Sequence, residues 1–345
     1  MDEQRLPDLL RLRGSVAAAS DEFYAAKENL IKPDAPAFVP ERYDAKGQIY
    51  DGWETRRRRG PGGTLPDDAA RDWVIVRLGV PGVLRTIVVD TAFFTGNYPQ
   101  ACSADASSAS GYPTPEELTA DAGQWREIVP RALLTGDARH AFTVNSDRRY
   151  SHVRLNIFPD GGVARLHVHG EVVPDPAMLE GLTVDLAALE NGADIAARSD
   201  QFYSSPRNVI SPGLSRVMGE GWETRRRRKP GYEWLVVRLA GRGVVRLAEI
   251  DTSWYRGNQP DFASLQMLDS DPAGGSLADE SAWRDLLPRV RLLPDTPHRF
   301  RVDGGPATHV RLNIFPDGGV ARLRLYGSLT DEGLAAVRRR WEATA

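Results

Sequence analysis

Residues 52–59, with the sequence GWETRRRR, place one carboxylate two residues before a run of four guanidinium groups. On a β-strand, Glu54, Arg56 and Arg58 would share a face, because alternate side chains point the same way. Arginine can bind a carboxylate through two parallel hydrogen bonds, and a glutamate can donate or accept a proton. We therefore predict that the arginines bind an anionic substrate and that Glu54 is catalytic. The same predictions apply to the second occurrence of this sequence, at Glu223, Arg225 and Arg227.

A run of charges also has a simpler interpretation, as a solvated face or a lattice of ion pairs. Both interpretations stay open for any single arginine of the run. A nucleic-acid-binding patch is disfavoured, because the chain as a whole carries a formal net charge of −3 rather than an excess of basic residues.

Two aspartates and two asparagines form the next set of candidates. Asp90 and Asp251 end predicted strands, and each is followed by a loop that contains a Gly-Asn pair, at Asn97 and Asn258. Loops that connect strands commonly bind ligands, so we predict catalytic aspartates and substrate-binding asparagines. The alternative is structural, with each aspartate capping its loop and each Gly-Asn pair forming a turn with positive φ.

A third set lies in the sequence HVRLNIFPDGGVARL, which occurs at residues 152–166 and again at 309–323. His152 and Asn156 lie on the polar face of a predicted strand, as do His309 and Asn313. Because histidine titrates near neutral pH, we predict acid–base catalysis by the histidines and substrate binding by the asparagines. The alternative is that each histidine is satisfied inside a buried interface.

The sequence assigns no metal ligands. His167 and His169 would share one face of a strand, an arrangement that suits a metal ion, but an isolated pair is a weak signal. We therefore predict no definite cofactor, and a divalent metal ion is the alternative. The one cysteine, Cys102, lies in a Ser/Ala-rich segment, residues 102–115, that we predict to be a loop. A single cysteine excludes an internal disulfide framework, and with no apolar leader we predict a cytoplasmic location.

The chain repeats itself along nearly its whole length. The offset between matched positions falls from 179 residues at Ser20 and Ser199 to 157 at His152 and His309, so the second copy has lost residues between shared segments. We predict one domain over residues 1–172, a linker over 173–181 and a second domain over 182–345. Repeats of this kind indicate two copies of one structural unit.

The shared segments alternate apolar and polar residues with the period of half-buried strands. Helical periodicity is confined to the N-terminus and to residues 116–128, 182–197 and 331–342. Many short strands separated by glycine and proline turns are typical of antiparallel sandwiches. We predict an all-β fold of two tandem jelly-roll β-sandwich domains with short peripheral helices.

Three motifs, each present twice, resemble those of the allantoicase family: GWETRRRR, an Asp-Thr pair followed by Gly-Asn, and VRLNIFPDGG. The resemblance covers both copies and implies a jelly roll similar to the galactose-binding, discoidin-like domain. It also implies hydrolysis of allantoate to ureidoglycolate and urea in purine degradation. The family resemblance assigns no catalytic residue, and His167 and His169 depart from it, since the second copy has Arg324 and Tyr326 there.

Allantoate carries a carboxylate and two ureido groups on one carbon, so its hydrolysis needs a guanidinium clamp, amide partners and an acid–base pair. The alternative function is a tandem carbohydrate-binding-like module without catalysis. That alternative is disfavoured by the lack of a secretion signal and of paired cysteines. We predict a small-molecule substrate, no nucleic-acid or membrane partner, and a homo-oligomer.

Overall fold

The computed structural model describes residues 6–120, 122–270 and 277–345. The chain divides into two compact units, Met1–Val172 with Thr344–Ala345, and Val173–Ala343. Both units are built almost entirely of antiparallel strands, which confirms the predicted all-β class. Across the described ranges, no helix is both long and apolar enough to cross a membrane.

The first unit is organised around one long strand, β5. Its strands are β1 (Ser15–Ala19), β2 (Tyr43–Asp44), β3 (Gly47–Gln48), β4 (Trp53–Glu54), β5 (Asp72–Asp90), β6 (Ala101–Ser107), β7 (Arg126–Leu133), β8 (Arg139–Thr143), β9 (Arg149–Phe158), β10 (Gly162–Val163) and β11 (Arg165–Val172). The first half of β5 pairs with β1 and β9, and its second half with β8 and β11. The register to β9 shifts between Arg77 and Gly82, so one strand serves both layers of the sandwich.

The second unit repeats this plan around β15. Its strands are β12 (Val184–Asp185), β13 (Asp194–Arg198), β14 (Trp222–Glu223), β15 (Glu233–Asp251), β16 (Phe262–Leu268), β17 (Arg284–Arg291), β18 (Pro297–Arg301), β19 (Pro306–Phe315), β20 (Gly319–Val320) and β21 (Arg322–Leu329). The first half of β15 pairs with β13 and β19, and its second half with β18 and β21. The fold is therefore two jelly rolls, as predicted.

The alternating pattern explains how these strands form their cores. Val153, Leu155 and Ile157 on β9 are fully buried, because the side chains at every second position point into the sandwich. The polar face of the same strand is also covered, since His152 and Asn156 are 1% and 2% exposed. This face therefore holds buried polar groups rather than solvated ones.

Some sequence-based predictions are wrong. Residues 102–107 are not a loop but most of β6, because alanine, serine and Cys102 pack closely between β7 and β9. Residues 182–197 form β12, a 3-10 turn over Leu189–Asn191 and part of β13 rather than a helix. At the N-terminus, the described residues 6–14 form turns. The predicted helical region 116–128 is only partly helical: it overlaps α1 (Pro115–Ala120) and a 3-10 turn over Ala122–Gln124, and from Arg126 it belongs to β7. Helix α2 (Asp331–Ala343) confirms the predicted C-terminal helix.

Candidate active site

Segments far apart in the sequence meet at one end of each unit. In the first, β4 pairs with β10, which places Glu54 opposite Gly162. Thr55 Oγ1 accepts a hydrogen bond of 3.1 Å from Gly161 N, and Asp160 Oδ2 accepts one of 2.6 Å from Arg58 N. The GWETRRRR and VRLNIFPDGG motifs are thus joined directly. The second unit has the same contacts between Thr224 and Gly318 and between Asp317 and Arg227.

The Gly-Asn loop completes this arrangement. Asn97 O accepts a hydrogen bond of 2.7 Å from Gly162 N, and Asn97 Nδ2 donates one of 2.8 Å to Glu54 Oε1. In the second unit, Asn258 Nδ2 donates to Glu223 Oε1, also at 2.8 Å. The structure therefore brings together two of the predicted site residues in each unit, a glutamate and an asparagine.

The glycine pair of the PDGG sequence allows this close approach. Gly161 has a φ of +135°, which side-chain-bearing residues rarely adopt, and a Cβ there would lie 2.8 Å from Asn97 O. A Cβ on Gly162 would lie 1.9 Å from the ring of Phe94. Only glycines let the Asn97 loop close against β10, so the repeated PDGG sequence is a requirement of the site's geometry.

Glu54 has the environment of a general acid. Trp53 and Thr55 on either side of it are buried, which fixes the backbone and leaves the Glu54 side chain half-buried at the surface. Burial raises the pKa of the Glu54 carboxyl, and the hydrogen bond from Asn97 only partly opposes this. In the described part of the chain, Glu54 Oε2 receives no hydrogen bond, so this oxygen can exchange a proton with a ligand.

Strand β4 ends at Glu54, so the four arginines that follow are not part of a strand. Their side chains therefore do not alternate between the two faces of a sheet, contrary to the prediction. The Arg58 guanidinium binds Asp72 Oδ1 at 2.6 Å, and Arg227 binds Glu233 in the same way. These two predicted substrate-binding residues are thus held in ion pairs within their own units. Their acidic partners were missed by the sequence analysis.

Arg56 and Arg225, the other two predicted arginines, lie beside exposed aromatic rings. The guanidinium carbon of Arg56 is 5.2 Å from the ring centre of Phe23, and that of Arg225 is 4.4 Å from Phe202. Arg56 also binds Asp21 Oδ2 through Nε and Nη2, both at 2.7 Å. The sequence held a signal for these partners, because Ser-Asp-x-Phe-Tyr occurs at both positions 20–24 and 199–203.

Comparison with known proteins identifies the family of the chain. A family model described as the allantoicase repeat matches residues 9–173 and again residues 184–330. The chain belongs to the allantoicase family. A probable allantoicase of Nocardia farcinica is 52% identical over 328 residues, which cover 94% of each chain. One of Streptomyces coelicolor is 49% identical over 334 residues, covering 96% of this chain and 87% of that protein.

Solved allantoicase structures share the fold. The crystal structure of allantoicase from Saccharomyces cerevisiae superposes with a TM-score of 0.74 at 32% identity and covers 94% of both chains. A second allantoicase structure gives 0.72 at 33% identity, over 91% of this chain and 90% of that chain. The predicted resemblance and its fold are confirmed.

In each allantoicase repeat, the side chain of the aspartate before the Gly-Asn loop accepts hydrogen bonds from the first residues of that loop. Asp90 is 5% exposed and its Oδ1 accepts a hydrogen bond of 2.8 Å from Ala92 N. Asp251 is 3% exposed and its Oδ1 accepts hydrogen bonds from Ser253 N and Ser253 Oγ, at 2.8 and 2.6 Å. Both aspartates cap the loop that carries the site asparagine.

A second polar cluster lies on the sheet face of each allantoicase repeat. Asn156 Nδ2 donates to Ser103 Oγ and to Asp105 Oδ2, and the Arg154 guanidinium binds the same carboxylate at 2.9 Å. Asn313 donates to Ser264 and Gln266 in the same way. The Oδ1 atoms of both asparagines are buried without a hydrogen-bond partner among the described residues. These predicted substrate ligands therefore lie in a cluster other than that of Glu54 and Asn97.

The histidines of the allantoicase repeats adjoin this cluster on the same strands. His152 Nδ1 lies 2.9 Å from Ser151 Oγ, and His309 Nδ1 lies 3.0 Å from Thr308 Oγ1. Burial, with the charge of Arg77 as a smaller cause, lowers the pKa of His152 to about 4. Burial and Arg238 likewise lower the pKa of His309. At neutral pH both imidazoles are uncharged.

The lowered pKa of His152 predicts an acid-sensitive stability. Between pH 6.5 and 4 the unfolded chain binds a proton at this position and the folded chain does not, so stability falls as the pH drops. From pH 7.5 to 5.0 the loss from His152 should be about 2 kcal/mol. We expect His152→Gln to remove this part of the pH dependence in urea unfolding. If the free energy of unfolding of the variant depends on pH as strongly as that of the unaltered protein, His152 is not a buried neutral imidazole.

The other two histidines of the first allantoicase repeat hold its N-terminal segment. His167 Nδ1 lies 2.9 Å from Asp8 Oδ2, and His169 Nδ1 lies 3.2 Å from Leu6 O. Asp185 and Arg324 pair at the matched position of the second repeat, at 3.5 Å. In the described ranges, no three histidine, cysteine or acidic side chains are gathered to hold a metal ion.

Proposed function

We infer that the protein hydrolyses allantoate to ureidoglycolate and urea. Two repeats of the allantoicase family support this function, as do allantoicase relatives that match over nearly the whole chain. The observation that carries the chemistry is the Glu54–Asn97 pair and its duplicate Glu223–Asn258, with an arginine two residues after each glutamate in the sequence. A tandem carbohydrate-binding module without catalysis is not favoured.

The carbon that reacts in allantoate carries a hydrogen, a carboxylate and two ureido groups. We propose that Glu54 donates its proton to the nitrogen of one ureido group, so that the C–N bond breaks and urea leaves. The lone pair of the remaining ureido nitrogen forms a C=N bond to the same carbon as urea departs. Water then adds to this carbon, the electron pair of the C=N double bond returns to the nitrogen, and the proton lost by the added water passes to the Glu54 carboxylate, which restores the acid. The net change adds one water and forms ureidoglycolate and urea.

The neighbouring residues have supporting roles in this proposal. Asn97 holds Glu54 Oε1, which leaves Oε2 directed to the substrate. Arg56 binds the substrate carboxylate in competition with Asp21; although burial would raise the pKa of Asp21, hydrogen bonds from backbone amides and from Arg56 hold it below its usual value. Glu223, Asn258 and Arg225 have the same roles in the second repeat.

We also propose that the protein works in the cytoplasm. Cys102 is buried and unpaired, and burial raises its pKa to about 12, so it is a structural thiol compatible with a reducing compartment. A homo-oligomeric state and a divalent metal ion remain proposals from the sequence alone.

The function is tested by measuring urea release from allantoate with the purified protein. We expect release from allantoate and none from allantoin or arginine. The assay is run after dialysis against EDTA and again with added Mn²⁺, which also tests for a metal requirement. Absence of urea under every condition at neutral pH would refute the assignment.

A further inference from the structure

The two repeats differ in how their matched arginines are engaged. The guanidinium of Arg56 binds Asp21 through two nitrogens, at 2.7 Å each. In the second repeat, Asp200 Oδ1 accepts backbone hydrogen bonds of 2.9 Å from Phe202 and from Arg225. Among the described residues, none forms a hydrogen bond or ion pair with the Arg225 guanidinium. None of them donates a hydrogen bond to Asp200 Oδ2 either. A substrate carboxylate would therefore compete with Asp21 for Arg56 but meet no such competition at Arg225.

The aromatic rings beside these arginines differ as well. In the first repeat, the β2–β3 hairpin carries Lys46, whose Nζ lies 5.2 Å from the ring centre of Phe23. In the second repeat, residues 199–221 are all described and contain short 3-10 helices but no hairpin. Phe202 is accordingly 56% exposed, against 42% for Phe23.

A shallow depression of about 530 Å³ lies at this point of the second repeat, lined by residues 197–202 and Arg225. It presents three kinds of group. Arg225 is a cation whose nitrogens form no ion pair with the described residues, Asp200 Oδ2 is a hydrogen-bond acceptor, and Phe202 is a partly exposed ring that supports the Arg225 guanidinium at 4.4 Å. Glu223, the proposed acid, lies two residues before Arg225.

We propose that this depression is the tighter of two substrate-binding sites and recognises compounds with a carboxylate and a ureido group on one carbon. Arg225, supported by the ring of Phe202, binds the carboxylate through two hydrogen bonds, and Asp200 accepts a ureido N–H. The matched site of the first repeat binds the same class more weakly, because its arginine is bound to Asp21. The inference rests on the proposed function only for the identity of the ligand.

Hydantoate tests this inference without turnover. It carries one carboxylate and one ureido group on a methylene carbon. Because this carbon bears one nitrogen and not two, no second nitrogen is present to form a C=N bond as urea leaves, so hydantoate is not hydrolysed. Isothermal titration of the full chain with hydantoate is expected to show one tight site per chain and a second site about tenfold weaker. Urea and glycolate, which each carry half of the recognised groups, should bind at least about 30-fold more weakly than hydantoate.

Matched variants assign the two sites. Arg225→Ala should weaken the tight site at least about 30-fold, whereas Arg56→Ala should leave it unchanged. Asp21→Asn frees Arg56 and should strengthen the weak site about tenfold. Arg226→Ala, which removes an exposed arginine of the same run, is the control for general loss of positive charge and should change neither site.

The outcomes are distinct. Equal weakening by Arg225→Ala and Arg56→Ala, or equal affinity of both sites in the unaltered protein, would overturn the inference. Retention of tight binding in Arg225→Ala would also overturn it. Failure of the proposed function would appear separately, as a lack of urea release from allantoate by a protein that still binds hydantoate.

Discussion

The double variant Glu54→Gln/Glu223→Gln is expected to lower kcat for urea release from allantoate about 100- to 10,000-fold, the usual range for removing a general acid. Glutamine keeps the shape and can still accept the hydrogen bond from Asn97 or Asn258, but it carries no transferable proton. Each single variant retains one site and should keep roughly half of kcat at saturating substrate. Initial rates of urea release over a range of allantoate concentrations measure both effects.

Glu116→Gln is the matched control, because it changes an exposed glutamate of α1 away from the site. The pH dependence provides a second readout. A general acid must be protonated, so the rate due to Glu54 should fall as pH rises above its elevated pKa, and this limb should vanish in Glu54→Gln. If the double variant folds and keeps kcat within about threefold, these glutamates are structural.

Arg165→Met is expected to cause the largest loss of stability, about 3–5 kcal/mol, because it breaks a buried ion pair and leaves its partners unsatisfied. Arg165 is 1% exposed, binds Asp51 Oδ2 at 2.6 Å and donates to the backbone oxygens of Asp34, Asp51 and Ala164. The melting temperature of the first unit should fall by roughly 10 °C. Scanning calorimetry measures this transition.

Arg322→Met is the matched variant in the second unit, where Arg322 donates to the backbone oxygens of Gly213, Glu220 and Ala321. Lysine should substitute poorly in both positions, because an ammonium cannot reproduce the planar fork. Since Asp51 lies two residues before the start of β4, loss of Arg165 should also disturb Glu54. A change in melting temperature below 2 °C would show that solvent replaces these contacts, contrary to the expectation.

The reactive groups of the site could be predicted from the sequence better than their hydrogen-bonding and ion-pair partners. Periodicity predicted the strand face of β9, and the repeated motifs selected Glu54 and Asn97, which the structure places 2.8 Å apart. The acids that bind the arginines were missed, because Asp21 lies 35 positions from Arg56 and only the repetition of Ser-Asp-x-Phe-Tyr in both copies marks it. The strand at Cys102 was missed because small residues, which favour turns in isolation, are selected there by tight packing against β9.

The long strand β5, like its counterpart β15, has a consequence for how each repeat folds. Its first half pairs with β9 and its second half with β11, strands that lie near the end of the repeat. Such non-local pairing is slow, because much loop entropy is lost before the contacts form. On the ribosome, β5 would stay without these partners until nearly the whole repeat had emerged. Each repeat should therefore become resistant to proteases in one late step, after synthesis of its last strand.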